Sequence, residues 1–280
     1  MQTIQLEGVT LHLAHPDDFP VAWVGQEELL VQVLAAWLVV DERDLPLNPR
    51  LLGKPGVGKT TLAVAAARRL GRPVYLYQAT MDTRPEDLLV TPVISGGGQI
   101  RYVASSLVTA MITGGVAILD EANRMSEKSW ASLAPLLDAR RYVESIVAGI
   151  KIPAHPDFRI CVTMNDDAST FEVPEYIHSR LMPQIVVDFP EAEEERRILA
   201  ANLPFAPEAV LTYVVAFLQQ AHQDQERFTV RDGVNIARYA LKLAQSRQTA
   251  ATDRSGWNAC LRQAIVQVLG PEALAHAPRG

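Results

Sequence analysis

The sequence predicts an α/β fold, a parallel sheet covered by helices on both faces, with a smaller all-α part after it. Three observations carry this expectation. Apolar runs of strand length, such as "GVAILD" at 115–120 and "FRICVTMN" at 158–165, lack the alternation of a half-exposed strand; that is how strands buried on both faces read. Helical patterns separate these runs, as a parallel sheet requires. The β signal then stops at Pro190, and four helical runs follow at about 191–202, 207–222, 231–246 and 255–268.

Each element has its own reason. Residues 1–13 alternate loosely around Glu7-Gly8 and predict a small hairpin. Leu29, Leu30, Val33, Leu34, Trp37 and Leu38 recur at helical spacing, so "LLVQVLAAWLVV" is read as a helix with one buried face. "RLLG" at 50–53 is a short strand, Lys59 to Leu70 a helix, and "PVYLYQA" at 73–79 a β-rich run. Residues 126–139 open on Ser126 with Glu127 in the first turn, a weak capping box, and read as a helix. "PQIVVDF" at 183–189 is the last strand. Two stretches break the alternation, 91–105 around Gly96-Gly97-Gly98 and 140–158 around Ala148-Gly149, and both read as hairpins leaving the sheet. The final "PEALAHAPRG" reads as a loose tail. The expected division is therefore an α/β domain over 1–189 and a helical domain over 190–280.

Composition narrows the function classes. The 280 residues are 48% hydrophobic and 21% charged, which is globular. A formal charge of −6 argues against a strongly basic nucleic-acid binder. The N-terminus lacks the basic and apolar regions of a signal peptide, and the apolar run at 29–40 is too short for a membrane span. Cys161 and Cys260 stand far apart in apolar contexts, as reduced core thiols of a cytoplasmic protein do.

Gly53-Lys54-Pro55-Gly56-Val57-Gly58-Lys59-Thr60-Thr61 matches G-x-x-x-x-G-K-[ST] in full. Glycines let successive backbone N–H groups curl around phosphate oxygens, and the helix opening at Lys59 adds its dipole. Lys59 is expected to reach the β- and γ-phosphates of ATP, and Thr60 to place a hydroxyl on Mg²⁺. About sixty residues on, an apolar strand ends in Asp120-Glu121, where α/β folds bind ligands. Asp120 is read as a holder of the Mg²⁺ shell and Glu121 as the acid that orients water toward the γ-phosphate. Asn165, at the end of another apolar strand, reads either as a turn residue or as a neutral group orienting the same water. Arg180 in "EYIHSR" reads either as a helix-end cation or as an arginine finger, worth roughly 10³–10⁵ in rate. Arg231 opens a helix against the dipole, which fits a functional residue and a solvated arginine equally.

Together these residues resemble the MoxR-like group of AAA+ ATPases, in the clade with a helix-2 insert. "GKPGVGKT" resembles the Walker A segment and "VAILDEANRM" the Walker B segment. Asn165 stands as sensor 1, "IHSR" ending at Arg180 as the arginine-finger segment, and Arg231 as sensor 2. "WVGQEELL" resembles the segment beside the adenine, placing Val24 and Gly25 near the base. The two hairpins match the clade's two inserts. The resemblance implies a five-stranded sheet of order 5-1-4-3-2, a helical lid, and a homo-oligomeric ring, a hexamer, with ATP at subunit interfaces. It further implies a remodelling motor acting on a protein client, with a von Willebrand A-type partner. A nucleic-acid-linked motor, like the restriction-type GTPase subunits that carry the same inserts, is the alternative that the −6 charge disfavours.

Overall fold

The computed structural model describes residues 2–20, 23–94, 96, 98–166, 172–250 and 253–278. In chain order the elements are β1 (Thr3–Leu6), β2 (Val9–His12), α1 (Glu27–Trp37), β3 (Arg50–Gly53), α2 (Lys59–Arg69), β4 (Val74–Gln78), α3 (Pro85–Leu88), β5 (Val90–Ile94) and β6 (Ile100–Ala104). They continue with α4 (Ser106–Thr113), β7 (Val116–Asp120), α5 (Glu127–Leu133), β8 (Tyr142–Ser145), β9 (Ile150–Pro153), β10 (Arg159–Asn165), α6 (Glu175–His178) and β11 (Gln184–Val186). The last helices are α7 (Ala192–Asn202), α8 (Glu208–Gln223), α9 (Val230–Ser246) and α10 (Arg254–Leu269).

The chain divides into two compact units: Met1–Val21, Glu28–Gly53 and Gly58–Val187 in one, and Ala22–Glu27, Lys54–Val57 and Asp188–Gly280 in the other. In the first, β11-β3-β10-β7-β4 form a parallel five-stranded sheet, the order expected from the resemblance. All seven residues of β10 are buried, because this strand lies in the middle of the sheet with helices packed around it. α1 is tied to it twice. Trp37 Nε1 donates to the Ile160 carbonyl at 2.9 Å, and Arg159 Nε donates to the Trp37 carbonyl at 2.8 Å. The second bond satisfies a terminal helix carbonyl, which explains a buried arginine in a core strand. α1 stops at Trp37, so Leu38 lies outside the helix and is 61% exposed rather than on its buried face.

The N-terminal hairpin and the first excursion make one sheet, β1-β2-β6-β5, in which β2 runs parallel to β6 with Leu11 opposite Tyr102. Sequence reasoning placed two separate hairpins there. Gly97 lies outside the described residues. The second hairpin, β8–β9, stands by itself and turns at Gly149, whose φ is +67°. The helix expected over 126–139 ends at Leu133.

The second unit packs α7–α10 around its own apolar core, including Leu199, Val214, Phe217, Leu218, Ile236 and Ile265. The expected loose tail is instead a 3₁₀ turn, Pro271–His276. Ala273 is buried there, and His276 Nδ1 lies 2.7 Å from Asp224 Oδ2 at the end of α8.

Candidate nucleotide site

In the first unit, β3 ends at Gly53 and α2 begins at Lys59, with Gly58 at φ +101° before it. A left-handed φ favours glycine, so this turn needs the residue the motif supplies. Lys59 is 6% exposed and its Nζ donates to the Gly53 carbonyl at 2.8 Å. The ammonium is thereby folded back over the loop, where a phosphate would be cradled. Thr60 Oγ1 donates to Asp120 Oδ1 at 2.7 Å, joining the start of α2 to the end of β7. The following Thr61 lies in the same first turn.

Thr163, which sequence reasoning passed over, locks the pair of acids. Its Oγ1 donates to Asp120 Oδ1 at 2.5 Å and accepts from the Glu121 backbone N–H at 3.0 Å. Glu121 itself has φ +52°, a left-handed conformation that costs a non-glycine residue about 1–2 kcal/mol. Its carboxylate is held at both oxygens: Asn165 Nδ2 donates to Oε1 at 3.3 Å, and Arg124 Nε lies 2.7 Å from Oε2. Asn123, 6% exposed, donates to the Asn165 carbonyl at 2.8 Å and so fixes the residue that holds Glu121. Thr163 was detectable as the one hydroxyl within the apolar run Ile160–Met164. Asn123 and Arg124 were visible in "DEANR" but had no role until the chain was folded.

These side chains fit a nucleotide with Mg²⁺. The hydroxyl of Thr60 and the carboxylate of Asp120 are hard oxygen donors already in contact. Among the described residues there is no cluster of three or more His, Cys, Asp or Glu that could cage a metal. Mg²⁺ is characteristically held by one or two carboxylates with waters and substrate phosphates, and needs no such cage.

The structure does not bring Arg180 to this group. Its carbonyl accepts from Asn48 Nδ2 at 3.0 Å, two residues before β3 begins, and Gln184 at the start of β11 is level with Arg50 at the start of β3. Arg180 therefore lies at the amino end of the sheet, whereas Lys59, Asp120 and Glu121 lie at the carboxyl end. Its Nε donates to Asp138 Oδ2 at 3.2 Å, and its Nη1 to the Tyr176 carbonyl.

The second unit holds the remaining candidates. Gly25 has φ +79°, and a Cβ there would stand 3.0 Å from Glu194 Oε1, which also accepts from the Gln26 N–H at 2.8 Å. Val24 is partly buried beside it. Lys54 Nζ lies 4.4 Å from the Phe189 ring centre. Pro55 and Val57 flank Gly56, whose φ is +87° and whose missing Cβ would meet Thr229 Oγ1 at 2.7 Å. Thr229 caps α9 through a capping box with Asp232, and Arg231 follows in its first turn, exposed.

Comparison with known proteins agrees with this geometry. Residues 50–181 match the AAA domain of the dynein-related subfamily. Protein MoxR of Paracoccus denitrificans is 32% identical over 152 residues, covering 54% of this chain and 44% of that protein. Protein NorQ of Paracoccus denitrificans is 31% identical over 183 residues, 63% of this chain and 62% of that one. The mouse von Willebrand factor A domain-containing protein 8 is 27% identical over 227 residues, 71% of this chain but only 12% of that protein. The chain thus spans less than half the length of the first and the last of these relatives. Among solved structures, the Thermotoga maritima RuvB Holliday junction branch migration motor superposes with a TM-score of 0.60 at 14% identity, covering 88% of this chain and 72% of that one, a likeness of fold alone. The phosphate loop, the Asp120-Glu121 pair, the sheet order and these relatives identify residues 50–181 as an AAA domain, similar to those of MoxR and NorQ.

Proposed function

We propose that this chain hydrolyses ATP with Mg²⁺ as a ring of its own copies, a hexamer in the family pattern, and spends the cycle on remodelling or activating a protein client. Gly53, Gly56 and Gly58 present backbone N–H groups to the phosphates, with Pro55, Val57 and Thr61 shaping the same loop. Lys59 meets the β- and γ-phosphates, and Val24 and Gly25 lie by the base. Thr60 and Asp120 would hold Mg²⁺, which when bound neutralises phosphate charge. Glu121 orients the attacking water and takes its proton, while Asn165 and Arg124 keep its carboxylate aimed. Arg231 completes the site as sensor 2.

The observation that carries the ring is the position of Arg180. A cation at the amino end of the sheet cannot serve a phosphate loop at the carboxyl end of the same sheet, so it is suited to the site of a neighbouring copy. The mouse relative is named for a von Willebrand A domain and carries a segment similar to this chain, which favours a partner of that type. A cytoplasmic setting accords with two buried, unpaired cysteines. The division into a core over 1–189 and a lid over 190–280 belongs to the same reading.

The test is turnover against protein concentration for the wild type, Arg180→Ala and Glu121→Gln. A ring requires specific activity to fall on dilution and both variants to be nearly inactive, with Glu121→Gln still binding ATP and retaining the client in pull-downs. Full activity of dilute monomers, indifferent to Arg180→Ala, would end this reading.

A further inference from the structure

Asp138 accepts from two arginines at once. Arg140 closes on it from one side, with Nε at 3.0 Å from Oδ1, Nη2 at 2.8 Å from Oδ2, and its backbone N–H at 3.0 Å from Oδ1. Arg180 Nε reaches Oδ2 at 3.2 Å. The Arg140 hydrogen bonds, assisted by Arg180, hold the Asp138 carboxyl well below the usual carboxylate range. Arg180 is further tied through Nη1 to the Tyr176 carbonyl, and its own carbonyl is tied to Asn48, which also donates to the Leu137 carbonyl next to Asp138. The segments after α5 and after α6 thus meet at the Asp138 carboxylate, and Asn48, before β3, ties their backbones together.

The Arg140 pair by itself adds little stability. The Arg140 side chain is 52% exposed, and exposed ion pairs contribute little. Charge and geometry point elsewhere. One carboxylate and two guanidinium groups leave the trio at net +1, whereas an Asp–Arg pair alone would be neutral. Arg180 is gripped through Nε and Nη1, so Nη2 is the donor that has no partner among the described residues. An arginine carries about 2 kcal/mol of rotamer entropy, and an unfixed finger would lose it each time it met a phosphate.

We propose that Asp138 is the positioning residue of the Arg180 finger: it fixes the guanidinium plane before a neighbouring copy's γ-phosphate arrives, and Arg140 offsets the Asp138 charge so that the cluster as a whole stays net positive. This rests on the ring reading above. Asp138 acts only through Arg180.

The experiment mixes variants. Asp138→Ala alone should bind ATP as the wild type does and keep its KM, while kcat falls about 10- to 100-fold. Glu121→Gln is inactive but presents an intact finger. Adding it in excess should restore turnover to the Asp138→Ala subunits, whose own phosphate loop and Glu121 are unchanged. A folding defect or a role in the copy's own site could not be rescued in this way. Arg180→Ala mixed with Glu121→Gln is the control. If Arg180→Ala is rescued and Asp138→Ala is not, or if Asp138→Ala alone runs at or above the wild-type rate, Asp138 does not position the finger. If neither is rescued, the ring reading itself fails, and this inference fails with it.

Discussion

Replacing Thr163 by valine removes one hydroxyl and almost no volume. The structure makes that atom a bridge, since it donates to Asp120 Oδ1 at 2.5 Å and accepts from the Glu121 N–H at 3.0 Å in a residue only 1% exposed. A hydrogen bond to a charged group is worth about 1.5–3 kcal/mol, and a stranded buried N–H costs about 1–3 kcal/mol. The two losses overlap at one site, so roughly 2–4 kcal/mol is expected for the first unit. For a unit of this size that corresponds to a fall of roughly 5–15 °C in Tm. Turnover should fall further than nucleotide affinity, because the freed bond also held Glu121 in its left-handed conformation. We expect about tenfold or more in kcat, each tenfold being about 1.4 kcal/mol of barrier. Thr163→Ser keeps the hydroxyl and should recover most of both. Thermal melts with and without ATP, together with steady-state ATPase rates, check this. A valine variant that melts within 1–2 °C of wild type (roughly the shift of half a kcal/mol) and turns over normally would refute the bridging role.

Three further outcomes are expected. Glu195 is fully buried in α7, Gln219 Nε2 is the one donor to its carboxyl among the described residues, at 3.0 Å, and burial raises its pKa to about 7. Its stabilising contribution is therefore present below the ordinary value of 4.5 and lost as pH rises through about 7. Each pH unit across that window is worth about 1.4 kcal/mol, so Glu195→Gln should be more stable than wild type at pH 8 by roughly 2–3 kcal/mol and equal to it at pH 4, measured by urea unfolding; equal stability at both would contradict the buried ionisation. Gly56→Ala forces a Cβ to 2.7 Å from Thr229 Oγ1 at φ +87°, so nucleotide affinity should drop roughly 5- to 30-fold for about 1–2 kcal/mol of strain, and an unchanged Kd by fluorescent-nucleotide titration would count against the loop geometry. Trp37→Phe strands the Ile160 carbonyl that Nε1 serves at 2.9 Å and should cost about 1–3 kcal/mol in denaturant unfolding, with no change if the bond is idle.

What was legible in the sequence was local. A phosphate loop is eight contiguous residues whose glycines must adopt backbone angles other residues resist, so Gly53 through Thr60 could be read without a fold. Buried parallel strands advertise themselves by unbroken apolar runs, so all five strands of the large sheet were found in the sequence. Helical period alone marked α7 to α10. What only the tertiary structure decided was long-range. The pairing of β2 with β6 joins segments about ninety residues apart. The bonds of Thr163 to Asp120 and Glu121, and of Asn123 to Asn165, join neighbouring strands that are about forty residues apart in the chain. The meeting of Asn48, Asp138, Arg140 and Arg180 draws on three separate connections. Side chains of ordinary type acquire such roles from the partners they face. Chain order constrains a residue's backbone and its immediate neighbours, while the packing of the sheet and its helices selects which distant group stands opposite.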